Sequence, residues 1–448
     1  MNAAEGAGPV NTVERHPRLH PTPEQTALRA LVRKALAGGD TGQDRAQARL
    51  AREIGAYGLA LPERHGGADC TLAEVAVVAG ELGRTLTPSP YLGTQLAARA
   101  LLHAGDEAAC ARLLPGVAEG RPATLAWAES GSWAPESVTL RARTEGDPHA
   151  DGAWRLTGVK EHVLDTAAWA TPAGGTGGGV GPGGPGSDGA DSGPRLGGPD
   201  SGGPDSGGAG REGAVLLVLA RTDSGLALFE ALAAPRAGLP APMDLSRPLV
   251  RLTFEGTPAR LVGAAGEGGR VLARTRDDAC ALLAAEQVGG AERCLELTLE
   301  HARVRVQFGR PIGSFQAVKH RLADMYVRLE SARSAALAAA GDPERYGALA
   351  KAVCSEAYAW IAGETIQLHG GTGFTWEHPA HRYFKRAHGS AQLFGAPAGH
   401  RERMLRERLR ETLGERPHET LGGSLRAGHG GPLPTHREEH SEPASARA

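Results

Sequence analysis

The chain has 448 residues, a formal net charge of −2 and only 4% aromatic residues. It is too long for one small core and predicts two or three structural units. Balanced charge and scarce aromatics argue against a nucleic-acid partner, and the absence of any apolar run of spanning length argues against a membrane. No charged and then apolar leader pattern stands at its start, so the expected location is cytoplasmic. Cys70, Cys110, Cys280, Cys294 and Cys354 are odd in number and never spaced as CxxC, which predicts small buried side chains, with no disulfide framework and no metal.

In chain order, residues 1–20 are polar, contain Gly and Pro, and predict a disordered start. Residues 21–121 predict a helical domain. Leu28, Leu31, Val32 and Leu36 recur at helix spacing, and Leu72, Val75, Val78, Ala79 and Leu82 form a second apolar face. GLALPERHGGADC (Gly58–Cys70) reads as a turn-rich break between them. Residues 122–262 predict a β domain: Val138, Leu140 and Ala142 alternate with polar residues, Val215–Leu219 is a continuous apolar run, and Val250, Leu252 and Phe254 alternate again. Within it, residues 171–213 are nearly all Gly, Pro, Ser, Asp and Ala, which predicts a disordered insertion.

Residues 263–412 return to helical spacing. Val288, Leu295, Leu299 and Val306 lie on one stripe. Phe315, Val318, Leu322, Met325 and Leu329 form a second, and Leu349, Val353, Ala357, Trp360 and Ile361 a third. Such stripes with short connections predict an antiparallel four-helix bundle. Residues 413–448 predict a disordered tail; His436 and His440 there lack the scaffold a metal site needs.

Three C-terminal segments carry a resemblance: RVQFGRPIGSF (Arg305–Phe315), IQLHGGTGF (Ile366–Phe374) and QLFGAPAGHRERM (Gln392–Met404). With GLALPERHGG and ELGRTLTPSPYL (Glu81–Leu92), and with the order helical, β, helical, the chain resembles the acyl-CoA dehydrogenase family over roughly residues 20–410. The resemblance implies an α+β fold with an N-terminal helical domain, a middle β-barrel domain and a C-terminal helical bundle. It implies FAD as cofactor and α,β-dehydrogenation of an acyl-CoA or acyl-carrier-protein thioester, with a flavin-type electron acceptor.

Site residues follow from the same match. Arg305 and Phe308 take the positions that bind the FAD diphosphate and pack on the cofactor; Gln367, Gly370 and Gly371 take positions that approach FAD across a subunit interface. A guanidinium suits a diphosphate because its fork matches phosphate geometry. In LAWAESGSWAPES (Leu125–Ser137), Glu129 and Ser132 match the family segment TEPxxGSD, while Ala128 and Trp133 replace its threonine and aspartate. In GVKEHVLD (Gly158–Asp165), His162 and Leu164 replace the tryptophan and threonine that face the flavin. The glutamate that removes the α-proton, within a motif like QIYEGT, is here Gly395. Asp277, Asp278 and Glu286 lie near an alternative base position; as first-turn acids they would instead complement a helix dipole.

A bacterial variant pattern without the glutamate, GxGFTWEH…RRA…GxxxxHRERL, matches Thr372–His378, Arg386–Ala387 and Gly395–Leu405. Several such chains pair with a base-bearing homologous subunit in mixed tetramers, notably in bacterial breakdown of steroid side chains. The resemblance therefore implies a non-catalytic partner subunit. A self-sufficient homotetramer with a displaced acid, and a non-enzymatic scaffold, stay open at this point.

Overall fold

The computed structural model describes residues 20–37, 43–146, 153–164, 213–232, 236–238 and 243–413. The expected disordered start, insertion and tail lie almost wholly outside them. Among these, the residues through Met404 belong to one compact unit and those from Leu405 to Leu413 to a second.

The chain opens with α1 (Pro23–Leu36), α2 (Gln43–Ala48), α3 (Leu72–Thr85), α4 (Tyr91–Ala104) and α5 (Glu107–Ala118). Thr22 and Gln25 form a capping box at α1, Thr71 and Glu74 another at α3, and Asp106 caps α5. The expected apolar face of α3 is buried throughout. That of α1 is narrower than its spacing suggests: Val32 is buried, but Leu31 is 50% exposed. Short 3-10 turns at Ala56–Gly58 and Glu63–His65 make up the turn-rich break.

Seven strands follow: β1 (Ala123–Ala126), β2 (Arg141–Thr144), β3 (Trp154–Leu164), β4 (Val215–Thr222), β5 (Gly225–Ala231), β6 (Arg236–Gly238) and β7 (Leu249–Val262). They run β1-β4-β2-β3-β7-β5, with β6 on β7, and β5 also pairs with β4. That last pairing closes the sheet into a barrel. Its core is the inward set Leu140, Leu156, Val218, Phe229, Leu252 and Phe254. The β3–β7 register shifts between Lys160 and Val163, and His162 at this bulge has φ 52. A bulge re-aims side chains, so simple alternation fails at this point of the strand.

The bundle comprises α6 (Gly268–Val304), α7 (Gln316–Gly341), α8 (Pro343–His369) and α9 (Ala380–Gln392); α10 (Pro397–Leu413) follows, and the hairpin β8 (Val306–Gln307) and β9 (Arg310–Pro311) joins α6 to α7. Two stripe residues depart from expectation. Val306 lies beyond α6 and is 53% exposed, because the helix stops before the Phe308–Gly309 turn; Leu349 is 42% exposed. α3 crosses α6 at backbone contact distance: a Cβ on Gly289 would stand 1.8 Å from the Gly80 carbonyl oxygen, and one on Gly83 would stand 2.0 Å from that of Glu286. Only glycine permits that approach, which locks the N-terminal helices to the bundle.

Candidate active site

Gly395 stands in backbone that L side chains rarely adopt, φ +107, just after α9. A Cβ there would lie 3.1 Å from Nε2 of His400, so the ring already occupies the side-chain space. His400 is buried, and its Nε2–H donates to the Phe394 carbonyl at 3.1 Å. The Gly395 carbonyl accepts from buried Lys351 Nζ at 3.1 Å. Burial, reinforced by Lys351 and Arg403, pushes the His400 imidazole down to about 4.

This makes an acid-stability prediction. The unfolded His400 takes its proton near its ordinary value, but the folded one resists until about pH 4. The unfolded state thus binds more protons between those values, and stability falls as pH drops from about 6.5 to about 4, by about 2–3 kcal/mol. His400→Gln should flatten that part of the pH profile in urea unfolding; an unchanged slope would remove His400 as its source.

Beside Gly395, four aromatic rings pack on one another. Phe394 stacks on Trp127 at 5.4 Å and meets Trp133 edge-on at 5.3 Å. Trp133 also meets Trp127 edge-on at 5.3 Å and stacks on His162 at 6.0 Å. Glu129 and Ser132 close the turn between them, backbone to backbone at 2.8 and 3.2 Å. The Glu129 carboxylate is spent inside the barrel: it accepts from the Thr139 amide and hydroxyl (2.7 and 2.5 Å), the Leu140 amide and Lys160 Nζ (2.5 Å). Burial pushes Glu129 up, but Lys160 and these donors outweigh it and hold the carboxyl below its ordinary value. Burial pushes Lys160 down to about 8 against the pull of Glu129.

Arg305, Phe308, Gln367, Gly370 and Gly371 gather elsewhere, at the adjoining ends of α6 and α8. The two ends are joined by His301 and His369, whose rings stack at 4.4 Å. Arg305 and Gln367 are exposed, and Phe308, in a left-handed turn, is 93% exposed. Gly370 caps α8 with φ +62, and a Cβ on Gly370 or Gly371 would meet nothing within 4 Å. The motifs contain His369 and His378, but only the fold brings His301 against them.

A family model described as the acyl-CoA dehydrogenase C-terminal domain matches residues 266–409, and one described as the N-terminal domain matches residues 22–121. Over 391 residues, 87% of this chain and 92% of the relative, the sequence is 37% identical to acyl-CoA dehydrogenase IpdE2 of Mycobacterium tuberculosis. The chain belongs to the acyl-CoA dehydrogenase family. Members are FAD-dependent oxidoreductases acting on CH–CH donors. A chain of the ChsE4–ChsE5 complex from M. tuberculosis is 27% identical with a TM-score of 0.68, covering 89% of this chain and 100% of that one. Butyryl-CoA dehydrogenase from Megasphaera elsdenii shares the fold at 20% identity and a TM-score of 0.71, covering 87% of this chain and 99% of that one.

For an acyl-CoA dehydrogenase, the three acids on α6 are engaged in an unexpected way. α6 starts at Gly268, so Asp277 and Asp278 are not first-turn residues and do not serve its dipole. Each is buried in an ion pair: Asp277 with Arg403 at 2.7 Å, Asp278 with Arg99 at 2.8 Å and His103 at 2.7 Å, Glu286 with Arg247 and with Arg386 at 2.7 Å. Glu286 and its two arginines line a small cavity of ≈ 30 Å³ beside Leu164 and Tyr91. No described helix is long and apolar enough to cross a membrane.

Proposed function

We propose that this chain is the base-lacking subunit of a mixed acyl-CoA dehydrogenase oligomer, lending part of the binding site for the FAD of a base-bearing partner. The observation that carries this reading is the closed space at Gly395. A glutamate there meets a forbidding φ and the His400 ring, and beside it Trp127, Trp133, His162 and Phe394 pack on one another, with His162 at the position where the resemblance puts a flavin-facing tryptophan. With His162 and Leu164 at the flavin-facing positions and these rings packed together, this chain's own barrel is a poor fit for a flavin.

The exposed ends of α6 and α8 fit a cofactor that arrives from outside. Gly371 has no left-handed φ and no crowding neighbour, so nothing within the chain calls for glycine there; a close external approach does. Arg305 offers a forked cation for the diphosphate, and Phe308, Gln367 and Gly370 complete the contact. When bound, FAD supplies the hydride acceptor; this chain's residues bind and orient it. Exposed Val304, Val306, Tyr326, Val327, Phe374 and Trp376 give this part of the chain the apolar character of a covered face. The similarity to a chain of the ChsE4–ChsE5 complex supports a two-chain assembly. The substrate is an acyl-CoA or acyl-carrier-protein thioester, the electron acceptor a flavin-type protein, and the compartment the cytoplasm.

The native complex should carry one FAD per pair of unlike chains; one FAD per chain in a homotetramer would overturn the reading. Arg305→Ala should weaken FAD binding by roughly 1.5–3 kcal/mol, the worth of a charged hydrogen bond. Flavin-to-protein ratio and FAD affinity in the purified complex measure it, and unchanged values would remove Arg305 from the site.

A further inference from the structure

Three imidazoles cluster where α6, α8 and the segment before α9 meet, His301 stacked on His369 and His378 tilted against it. His301 and His369 have ring centroids 4.4 Å apart, and so do His369 and His378. Arg305 stands one turn beyond His301, its amide donating to the His301 carbonyl at 2.9 Å. The partners set the tautomers. His369 Nδ1 lies 2.7 Å from the Thr365 carbonyl, so that nitrogen carries the proton and Nε2 is left to accept one. His378 Nδ1 accepts the Ala380 amide at 3.2 Å, which commits its lone pair to the first turn of α9.

Arg305, just past the end of α6, and His381 on α9 face the cluster, and Lys385 lies 4.3 Å over the neighbouring Trp376 ring. Acids on the same elements have partners of their own: Glu300 pairs with Arg293 at 3.1 Å, Glu364 with Arg321 at 3.2 Å, and exposed Glu377 with the Thr375 side chain and with His381 itself. Burial, then His369, Arg305 and His378, hold His301 below its ordinary value; burial, then His369 and His381, do the same for His378. Among the described residues no group of three or more His, Cys, Asp or Glu could hold a metal ion. Clustered imidazoles beside a guanidinium, with the nearby carboxylates engaged by other partners, form a site that an anion completes.

We infer that His301 and His369 are a second, titrating half of the diphosphate site: with Arg305 they bind the diphosphate diester of a dinucleotide and take up a proton as it binds. This rests on the reading of Arg305 as part of the FAD site. The proton comes from solvent and goes to His301 or to Nε2 of His369; no covalent bond changes. An anion within a few ångströms favours the charged imidazole, so its arrival raises the proton affinity of the stack. By linkage, affinity for the anion must then rise as pH falls. The diphosphate of FAD is a diester that does not titrate near neutrality, so the slope belongs to the protein.

The test is calorimetric titration of FAD into the flavin-stripped complex of the full chain with its partner, from about pH 8 to about pH 6, in buffers of different ionisation heat. Affinity should rise by up to about tenfold per pH unit for each proton taken up. His301→Phe keeps a ring in the stack but cannot charge; it should reduce both slope and proton uptake, and His301→Gln should do the same. Adding His369→Gln should leave a flat profile. A flat profile in the unmodified complex, or a slope untouched by the double substitution, overturns the inference. Arg305→Ala separates the two claims. If it weakens FAD binding while the unmodified profile is flat, only the histidine role fails. If it changes nothing, or if no complex of the chain binds FAD, the underlying reading fails and takes the inference with it.

Discussion

Purified alone, the chain should dehydrogenate acyl thioesters at least about 10²–10⁴-fold more slowly than the same chain combined with a base-bearing partner. That range is what a positioned general base contributes to proton removal, and Gly395 has no side chain to contribute it. Gly395→Glu should not restore the rate. The residue would carry φ +107, and its Cβ would begin 3.1 Å from a His400 ring that is buried and bonded to Phe394. The substitution should therefore lower stability without raising turnover. Mixing the chain with its partner should recover the rate, and replacing the partner's catalytic glutamate should abolish it again. Stopped-flow flavin reduction by substrate reads both arms. Full flavin reduction by this chain alone, lost when one of Asp277, Asp278 or Glu286 is replaced, would refute the subunit assignment and establish a displaced base.

What sequence could and could not disclose divides along contiguity. Arg305 and Phe308 lie within four residues, and Gln367, Gly370 and Gly371 within five, so a short motif carries each group and its helix end with it. The α3 face was legible because burial there follows the helical period; all five of its apolar residues are buried. The aromatic cluster was not. Trp127 and Trp133 follow β1, His162 sits on a bulge in β3 and Phe394 follows α9, so only the closed fold brings them together. The bulge reverses the alternation that strand reading depends on. The acids of α6 show the same limit. Their neighbours in sequence suggested a helix start, but α6 begins nine residues before Asp277, and their true partners come from α4, α9, α10 and the segment before β7.

Glu286→Ala should cost about 3–5 kcal/mol of stability, the usual result of removing one member of a buried ionic network. Its surroundings set that cost. Arg386 is buried, and it donates from Nη1 to Glu286 and from Nε to Asp244, both at 2.7 Å, and from Nη2 to the Ser246 carbonyl and hydroxyl at 2.9 and 2.7 Å. Arg247 donates to the same oxygen of Glu286 and, at 3.0 Å, to Ser390. Burial pushes the Arg247 guanidinium down, and Glu286 is the foremost charge holding it up. Removing Glu286 leaves Asp244 as the only acid of the network facing two guanidiniums. The segment before β7, α6 and α9 are joined through these contacts, so their loss should loosen the barrel from the bundle. Glu286→Gln keeps an acceptor and should cost less than the alanine. Urea unfolding of the three proteins decides it; a loss below about 1 kcal/mol for the alanine would mean that the network contributes little. The two substitutions also bear on chemistry. A displaced base would lose activity in Glu286→Gln while keeping its stability, whereas a structural anchor loses stability first and leaves the rate of the folded, partnered enzyme nearly unchanged.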